Sequence, residues 1–279
     1  MPELPEVETT LRGVEPWVVW EKITEVDVRN RSLRWPIPAD IGTPLVGQTI
    51  IAARRRGKYL LLELDQGGTM LVHLGMSGSL RIVGPGTDQD EEWRKHDHVG
   101  LTFGSGKELR FHDPRRFGCW LFSPPREVPE NTHPLLKDLG PEPLDDAFDE
   151  AHLWSRTRKR KVAIKQLIMN SKEVVGVGNI YACEALFLAG ISPKKAAGSI
   201  TRKQCALLVA TIKQVLSEAI EMGGTTLRDF LGADGEAGYF KQKLRVYDRE
   251  GKPCRSCQKE VQRIVQSNRS TFFCAACQK

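Results

Sequence analysis

Four cysteines near the C-terminus constrain this chain more than any other feature. They fall as Cys254-x2-Cys257-x16-Cys274-x2-Cys277, two CxxC knuckles at the separation that structural zinc sites use. Each knuckle supplies two thiolates, and the chain between them must fold back as a hairpin to bring all four into one tetrahedron. A redox dithiol would instead need a CxxC beside a βαβ unit with its first thiol at a helix start, and this stretch offers neither. A zinc ribbon holding one structural ion is therefore expected. Val261–Gln266 and Thr271–Cys274 read as its strands, with Ser267-Asn268-Arg269-Ser270 at the tip. Cys119, Cys183 and Cys205 stand singly among apolar residues, where a free thiol packs as a small hydrophobe.

The remaining chain divides by pattern. Leu4, Val7, Leu11 and Val14 repeat at helical spacing, and Pro16 is expected to break that helix. Short β-like runs follow at Ile23–Val28, Thr49–Ala53, Tyr59–Leu64, Met70–Leu74, His98–Phe103 and Leu109–His112. Gly, Pro and Asp clusters separate them, which predicts a sandwich or barrel rather than parallel βαβ units. From about Ser123 to Glu150 the chain is rich in Pro and acids and shows no period, as a linker would. Helical patterns come next. Thr201-x-x-Gln204 opens one as a capping box, its apolar face is Leu208, Ile212, Val215, Leu216 and Ala219, and Gly223-Gly224 closes it. No apolar run approaches the ~20 residues of a membrane helix, and the MPELPEVETT start is acidic, unlike a secretory signal. A cytoplasmic globular protein with no membrane partner is expected.

Charge is unevenly spread. Residues 1–150 carry 18 Lys+Arg against 25 Asp+Glu, whereas residues 151–279 carry 23 against 10. A positive excess confined to one end suits a polyanion, because Lys and Arg that neutralise phosphates release counterions, though a solubilising surface has the same composition. Arg156, Arg158, Lys159, Arg160 and Lys161 put five cations in six residues. Val175-Gly176-Val177-Gly178-Asn179 reads as a glycine turn with Asn179 capping the next helix, a place where backbone amides can meet a phosphate. Lys58 follows three arginines at the mouth of the Tyr59–Leu64 strand, a solvated end or a catalytic cation.

The N-terminus bears on chemistry. Small Pro2 favours removal of Met1, which would leave a secondary α-amine. Such an amine titrates near about 8, against about 10.4 for lysine, so a useful fraction is unprotonated at neutral pH. It can attack a carbonyl-like carbon and form an iminium, an electron sink, with Glu3 and Glu6 beside it to move protons. Proline and acids are equally favoured in the first turn of any helix, and the residues alone leave both readings open.

Taken in order, MPELPEVET, GKYLLLEL, HLGMSGSLR, KHDHV, DPRRFG, LGPEPL, AIKQLI, VVGVGNIYACEALF, GGTTLRDF and the ribbon with RSTFFC resemble bacterial-type formamidopyrimidine-DNA glycosylases, from Pro2 to Lys279. The resemblance implies an α+β protein: an N-terminal β-sandwich with flanking helices, a helical domain with a helix–two-turns–helix motif, and a zinc-ribbon β-hairpin. The corresponding divisions are 1–136, 137–244 and 245–279. It implies excision of oxidised purines from double-stranded DNA by a monomer, followed by strand cleavage. Pro2 would be the nucleophile, Glu3 the acid that opens the sugar, and Glu6 an organiser of the site. Lys58 would serve β-elimination and Arg269 δ-elimination. Met76, Arg115 and Phe117 match the side chains that fill the hole left by an extruded base. His96, Lys161, Lys165, Asn179 and Arg269 match phosphate-binding positions, and Thr225 to Phe240 the loop over the flipped base. The related endonuclease VIII group shares this machinery but prefers oxidised pyrimidines. A DNA-binding ribbon protein without catalysis is the alternative from another class.

Overall fold

The computed structural model describes residues 2–87, 92–125, 128, 132–225 and 240–279. Two compact units emerge: Met1–Lys137 with the described residues of Gly223–Tyr239, and Asp138–Met222 with Phe240–Lys279.

Among the described residues of the first unit, helix α1 (Leu4–Val18) precedes eight strands: β1 (Ile23–Val28), β2 (Ile50–Arg56), β3 (Tyr59–Leu64), β4 (Thr69–His73), β5 (Ser79–Val83), β6 (Asp97–Phe103), β7 (Glu108–His112) and β8 (Cys119–Ser123). They form two antiparallel sheets of four, in the orders β1-β6-β7-β5 and β2-β3-β4-β8. The α1 residues Val7, Leu11, Val14 and Val18 share one core with both sheets, including Leu60, Leu62, Val72, Leu101, Phe111 and Trp120. Each such side chain taken out of water stabilises the unit by roughly 1.5–3 kcal/mol.

Pro16 does not break α1, which runs two residues past it. A proline at this position cannot donate to the carbonyl four residues back, but that carbonyl belongs to exposed Arg12 on the outer face of the helix, where leaving it without an intrahelical donor costs little. Two strands add to those predicted. In β5 the charged Arg81 is buried against Asp97, which hides the strand's pattern. In β8 the apolar run is continuous, and periodicity does not identify such a run.

In the second unit come α2 (Glu150–Thr157), α3 (Ile164–Ile168), α4 (Asn179–Leu188), α5 (Arg202–Glu221) and the hairpin β9 (Gln262–Gln266) and β10 (Arg269–Phe273). The Thr201 and Gln204 capping box is present, and Gly223 and Gly224 follow α5 in left-handed conformations. The hairpin tip is shorter than expected. Only Ser267 and Asn268 turn, both at positive φ, as the tightest hairpin loops require, so Arg269 pairs with Gln266 as the first residue of β10.

Candidate active site and nucleic-acid interface

At the start of α1 the sequence folds on itself. Glu3 is the N-cap residue and Glu6 lies three positions on, the arrangement of a capping box. Glu6 Oε2 accepts from the Glu3 backbone N–H at 2.8 Å. The other oxygen, Oε1, accepts from the backbone N–H and the hydroxyl of Thr225, both at 2.8 Å. Pro2 is buried, and Glu3 and Glu6 are each 2% exposed. A carboxylate held by several N–H and O–H donors is a fixed group rather than a mobile surface acid. The Glu6 partner Thr225 gave no local signal, since it lies 219 residues away in sequence. Most of the expected lesion-covering loop, 226–239, falls outside the described residues.

Lys58 sits with Gly57 in the two-residue turn between β2 and β3, where Gly57 takes a positive φ. Its charge acts on His73. Burial, then the positive charges of Lys58 and Arg34, push the His73 pKa down to about 4, and Nδ1 accepts from the Gly75 N–H at 2.9 Å. The ring is thus held neutral.

Met76 lies on the β4–β5 loop, while Arg115 and Phe117 lie on the β7–β8 loop. Phe117 is 42% exposed, and the Arg115 guanidinium stands 5.0 Å from its ring centre. His96 is half-buried beside His112 and His98, with ring centres 5.9 and 6.4 Å away. His98 Nε2 is 2.8 Å from the Asp113 carbonyl. Behind them Asp97 is wholly inside: burial alone would raise its pKa, but hydrogen bonds from His112, Arg81 and the Arg94 N–H hold it far below the usual carboxylate range.

In the second unit Lys165, 1% exposed, donates to Asn179 Oδ1 at 2.5 Å and to Thr271 Oγ1 at 2.6 Å. Asn179 Nδ2 donates to the Ser270 carbonyl at 2.9 Å. The structure corrects one expectation: Gly178, not Asn179, is the N-cap of α4, and the Asn179 amide is instead engaged with α3 and β10. Lys165 is buried and ties α3, α4 and β10 together. Gln166 Nε2 donates to Ser267 Oγ at 2.5 Å. A cavity of about 190 Å³ opens here, lined by Lys165, Gln166, Asn170, Ser267 and Arg269 among others. Arg269 and Lys161 are exposed, and Lys161 does not line this cavity.

Cys254, Cys257, Cys274 and Cys277 bring their sulfurs within 4.8 Å of one another, with 3.4 Å between Cys257 and Cys274 and 3.9 Å between Cys254 and Cys277. Tetrahedral zinc with Zn–S of about 2.3 Å sets its sulfurs about 3.8 Å apart, so the donor set fits the ion. Further polar contacts anchor this ribbon. Buried Glu184 on α4 accepts from the backbone N–H groups of Arg245, Val246 and Tyr247 at 2.8–2.9 Å. Gln278 accepts from the Cys274 N–H and donates to the Ile191 carbonyl, both at 2.9 Å. The lone thiols Cys119, Cys183 and Cys205 are buried, and burial pushes Cys119 up to about 12.

Comparison with known proteins agrees along the whole chain. The sequence model of the formamidopyrimidine-DNA glycosylase N-terminal domain matches residues 1–120, that of the formamidopyrimidine-DNA glycosylase H2TH domain residues 139–231, and that of a zinc finger found in FPG and IleRS residues 251–279. Formamidopyrimidine-DNA glycosylases of Thioalkalivibrio sulfidiphilus and Shewanella halifaxensis are 59% and 53% identical, each aligned over 100% of both chains. Among solved structures, Thermus thermophilus MutM (Fpg) is 38% identical with a TM-score of 0.87, covering 99% of this chain and 98% of its own. A Lactococcus lactis Fpg variant complexed with Fapy-dG-containing DNA is 33% identical with a TM-score of 0.90, covering 100% of both. MutM in complex with DNA containing carbocyclic 8-oxo-G is 34% identical with a TM-score of 0.89, again over 100% of both. With its three segments and full-length relatives all pointing one way, the chain belongs to the formamidopyrimidine-DNA glycosylase family.

Proposed function

We propose that this chain excises oxidised purines from duplex DNA and then opens the strand, as a bifunctional DNA glycosylase and abasic-site lyase of base excision repair, with Pro2 as its nucleophile. The observation that carries the site assignment is the buried pair Glu3 and Glu6 near the start of the chain, with the Glu6 carboxylate accepting from the Glu3 and Thr225 backbone N–H groups at 2.8 Å. The choice of purines rests on full-length relatives whose structures hold Fapy-dG and 8-oxo-G DNA.

With Met1 removed, the Pro2 nitrogen attacks C1′ of an extruded nucleotide. The C1′–base bond breaks and the damaged base leaves. Glu3 gives a proton to the sugar oxygen, opening the ring to an iminium between Pro2 and C1′. That cation acidifies the C2′ hydrogen; its loss expels the 3′ phosphate, and a second elimination expels the 5′ phosphate. Lys58 serves the first elimination and Arg269 the second. Glu6 keeps the start of α1 and Thr225 in register. A base inside the stack cannot reach an N-terminal amine, so extrusion comes first. Met76 and Phe117 then occupy the gap, and Arg115 pairs with the orphaned cytosine.

His96, Lys161, Asn179 and Arg269 hold phosphates, with Lys165 bracing Asn179 from within. The zinc, held by the four thiolates, fixes the ribbon that carries Arg269. The divisions 1–136, 137–244 and 245–279, a monomer, and a place in the cytoplasm with the DNA complete the reading.

Borohydride trapping tests it. Reduction converts the iminium to a stable adduct, which digestion and mass spectrometry locate on Pro2 when the duplex carries 8-oxoguanine opposite cytosine. Glu3→Gln slows base release by about 100-fold or more. An adduct formed only with a thymine glycol duplex would reassign the enzyme to pyrimidines. No adduct on any duplex, from protein shown to lack Met1 and hold zinc, would leave a DNA-binding protein without catalysis.

A further inference from the structure

We propose that Asp113 is a positioning residue that locks the β4–β5 and β7–β8 loops into a single wedge, so that Met76, Arg115 and Phe117 enter DNA as one body. This rests on the reading of those three side chains given above.

Asp113 is 0% exposed, although it opens a loop whose next four residues, 114–117, are exposed. Its carboxylate faces both loops. Oδ1 accepts from the Ser77 hydroxyl of the β4–β5 loop at 3.3 Å and from the Arg115 N–H at 3.3 Å, while Oδ2 accepts from the Gly118 N–H at 2.8 Å. Its backbone is equally committed. Asp113 N–H donates to the His96 carbonyl, and its carbonyl accepts from the Arg116 N–H and lies 2.8 Å from His98 Nε2.

The loops also meet without room for a side chain. A Cβ on Gly75 would stand 2.5 Å from the Gly118 nitrogen and 2.5 Å from the Phe117 carbonyl carbon, and one on Gly118 would stand 2.5 Å from the His73 carbonyl oxygen. Gly78 N–H closes the turn around Met76 by donating to the Leu74 carbonyl at 2.8 Å. The seam therefore consists of two glycines in backbone contact and one carboxylate that accepts from both sides. Met76 has Ser77 as its next residue, Arg115 itself carries one of the two N–H groups that Asp113 holds, and Phe117 directly precedes Gly118, which carries the other. Displacing either loop alone costs the buried acceptor its partners.

The role differs from simple support of the fold. A wedge acts only where there is a stack to enter and an orphaned base to read. Elimination at an abasic site in single-stranded DNA needs Pro2 and Glu3 but no wedge. Asp113→Asn, Asp113→Ala and Ser77→Ala, as full-length zinc-loaded protein, are compared on 8-oxoguanine opposite cytosine, 8-oxoguanine opposite adenine, and a single-stranded abasic site. For Asp113→Asn the preference for cytosine falls about tenfold, while single-strand elimination stays within about twofold of the parent. Asp113→Ala falls further and Ser77→Ala less, since it removes only the bond between the loops. A 2-aminopurine beside the lesion reports slower intercalation in the same order.

Unchanged opposite-base preference in Asp113→Asn and Ser77→Ala would overturn the proposal. So would a parallel loss of all three activities, which marks a merely structural residue. If the Asp113 variants do not fold, Ser77→Ala decides alone. Failure of the parent protein to excise 8-oxoguanine at all would instead overturn the functional reading beneath it.

Discussion

The β4–β5 and β7–β8 loops of the first unit and the hairpin of the second are both held in place, and by opposite means. Behind Met76, Arg115 and Phe117 stands a sandwich with a continuous apolar core, and the loops need only a glycine seam and one carboxylate to register on it. Behind Arg269 stands a two-stranded ribbon with a much smaller cluster of buried residues, including Cys254, Val261, Phe272 and Cys274. A two-stranded hairpin of that size is marginal by itself. Its rigidity comes from polar ties and the metal: Lys165 to Thr271, Gln166 to Ser267, Glu184 to 245–247, and four thiolates. Where a core is large, placement is a matter of local packing. Where it is small, placement depends on a few bonds, each of which can be removed singly.

The largest contrast follows from zinc removal. Chelation is expected to unfold the ribbon and abolish DNA binding, because thiolate ligation supplies much of such a module's folding energy, while circular dichroism of the sandwich persists. Metal analysis beside a binding titration checks it, and full affinity in zinc-free protein would contradict it.

Lys165→Met probes the polar ties next. It leaves Asn179 and Thr271 without their donor, and duplex affinity falls roughly 10- to 100-fold. The slope of log affinity against log salt stays unchanged, since a buried ammonium releases no counterion. Arg269→Ala behaves conversely, with a smaller loss and a slope reduced by about one. Equal slope changes would mean that Lys165 reaches phosphate itself.

The remaining effect belongs to the sandwich and is read through pH. His73 titrates at about 4 in the folded protein against 6.5 for the free side chain. Between those values the unfolded chain binds more protons, so stability rises with pH across that window and is lost as pH falls through it. The slope is at most about 1.4 kcal/mol per pH unit. Melting temperatures of the parent and His73→Gln from pH 4 to 7 isolate it, and a constant difference between them would show that His73 is protonated alike in both states.

Much of this was legible in the sequence. Ile23–Val28 and Tyr59–Leu64 appear with the predicted ends, because their flanking residues punctuate clearly and their side chains are apolar at the right places. The zinc ligands are legible for a different reason, since their spacing is itself the geometry. What stayed hidden depends on residues far apart in sequence. Asp97 neutralises Arg81 and so lets β5 be buried; Lys165 finds Thr271 across 106 residues; Glu6 finds Thr225. No local period encodes such pairs. Asp113 was the nearest to visible, since Asp-Pro initiates turns, but nothing in DPRRFG announces that the carboxylate also reaches Ser77.

Gln278 carries one last consequence. It serves the ribbon as a two-way connector, its carbonyl oxygen receiving the Cys274 N–H and its amide nitrogen giving to Ile191. Slow hydrolysis of that amide during storage or cellular ageing would keep the first bond and turn the second into two oxygens facing each other. A single spontaneous chemical event, with no oxidant and no protease, would then loosen the knuckle that holds the metal.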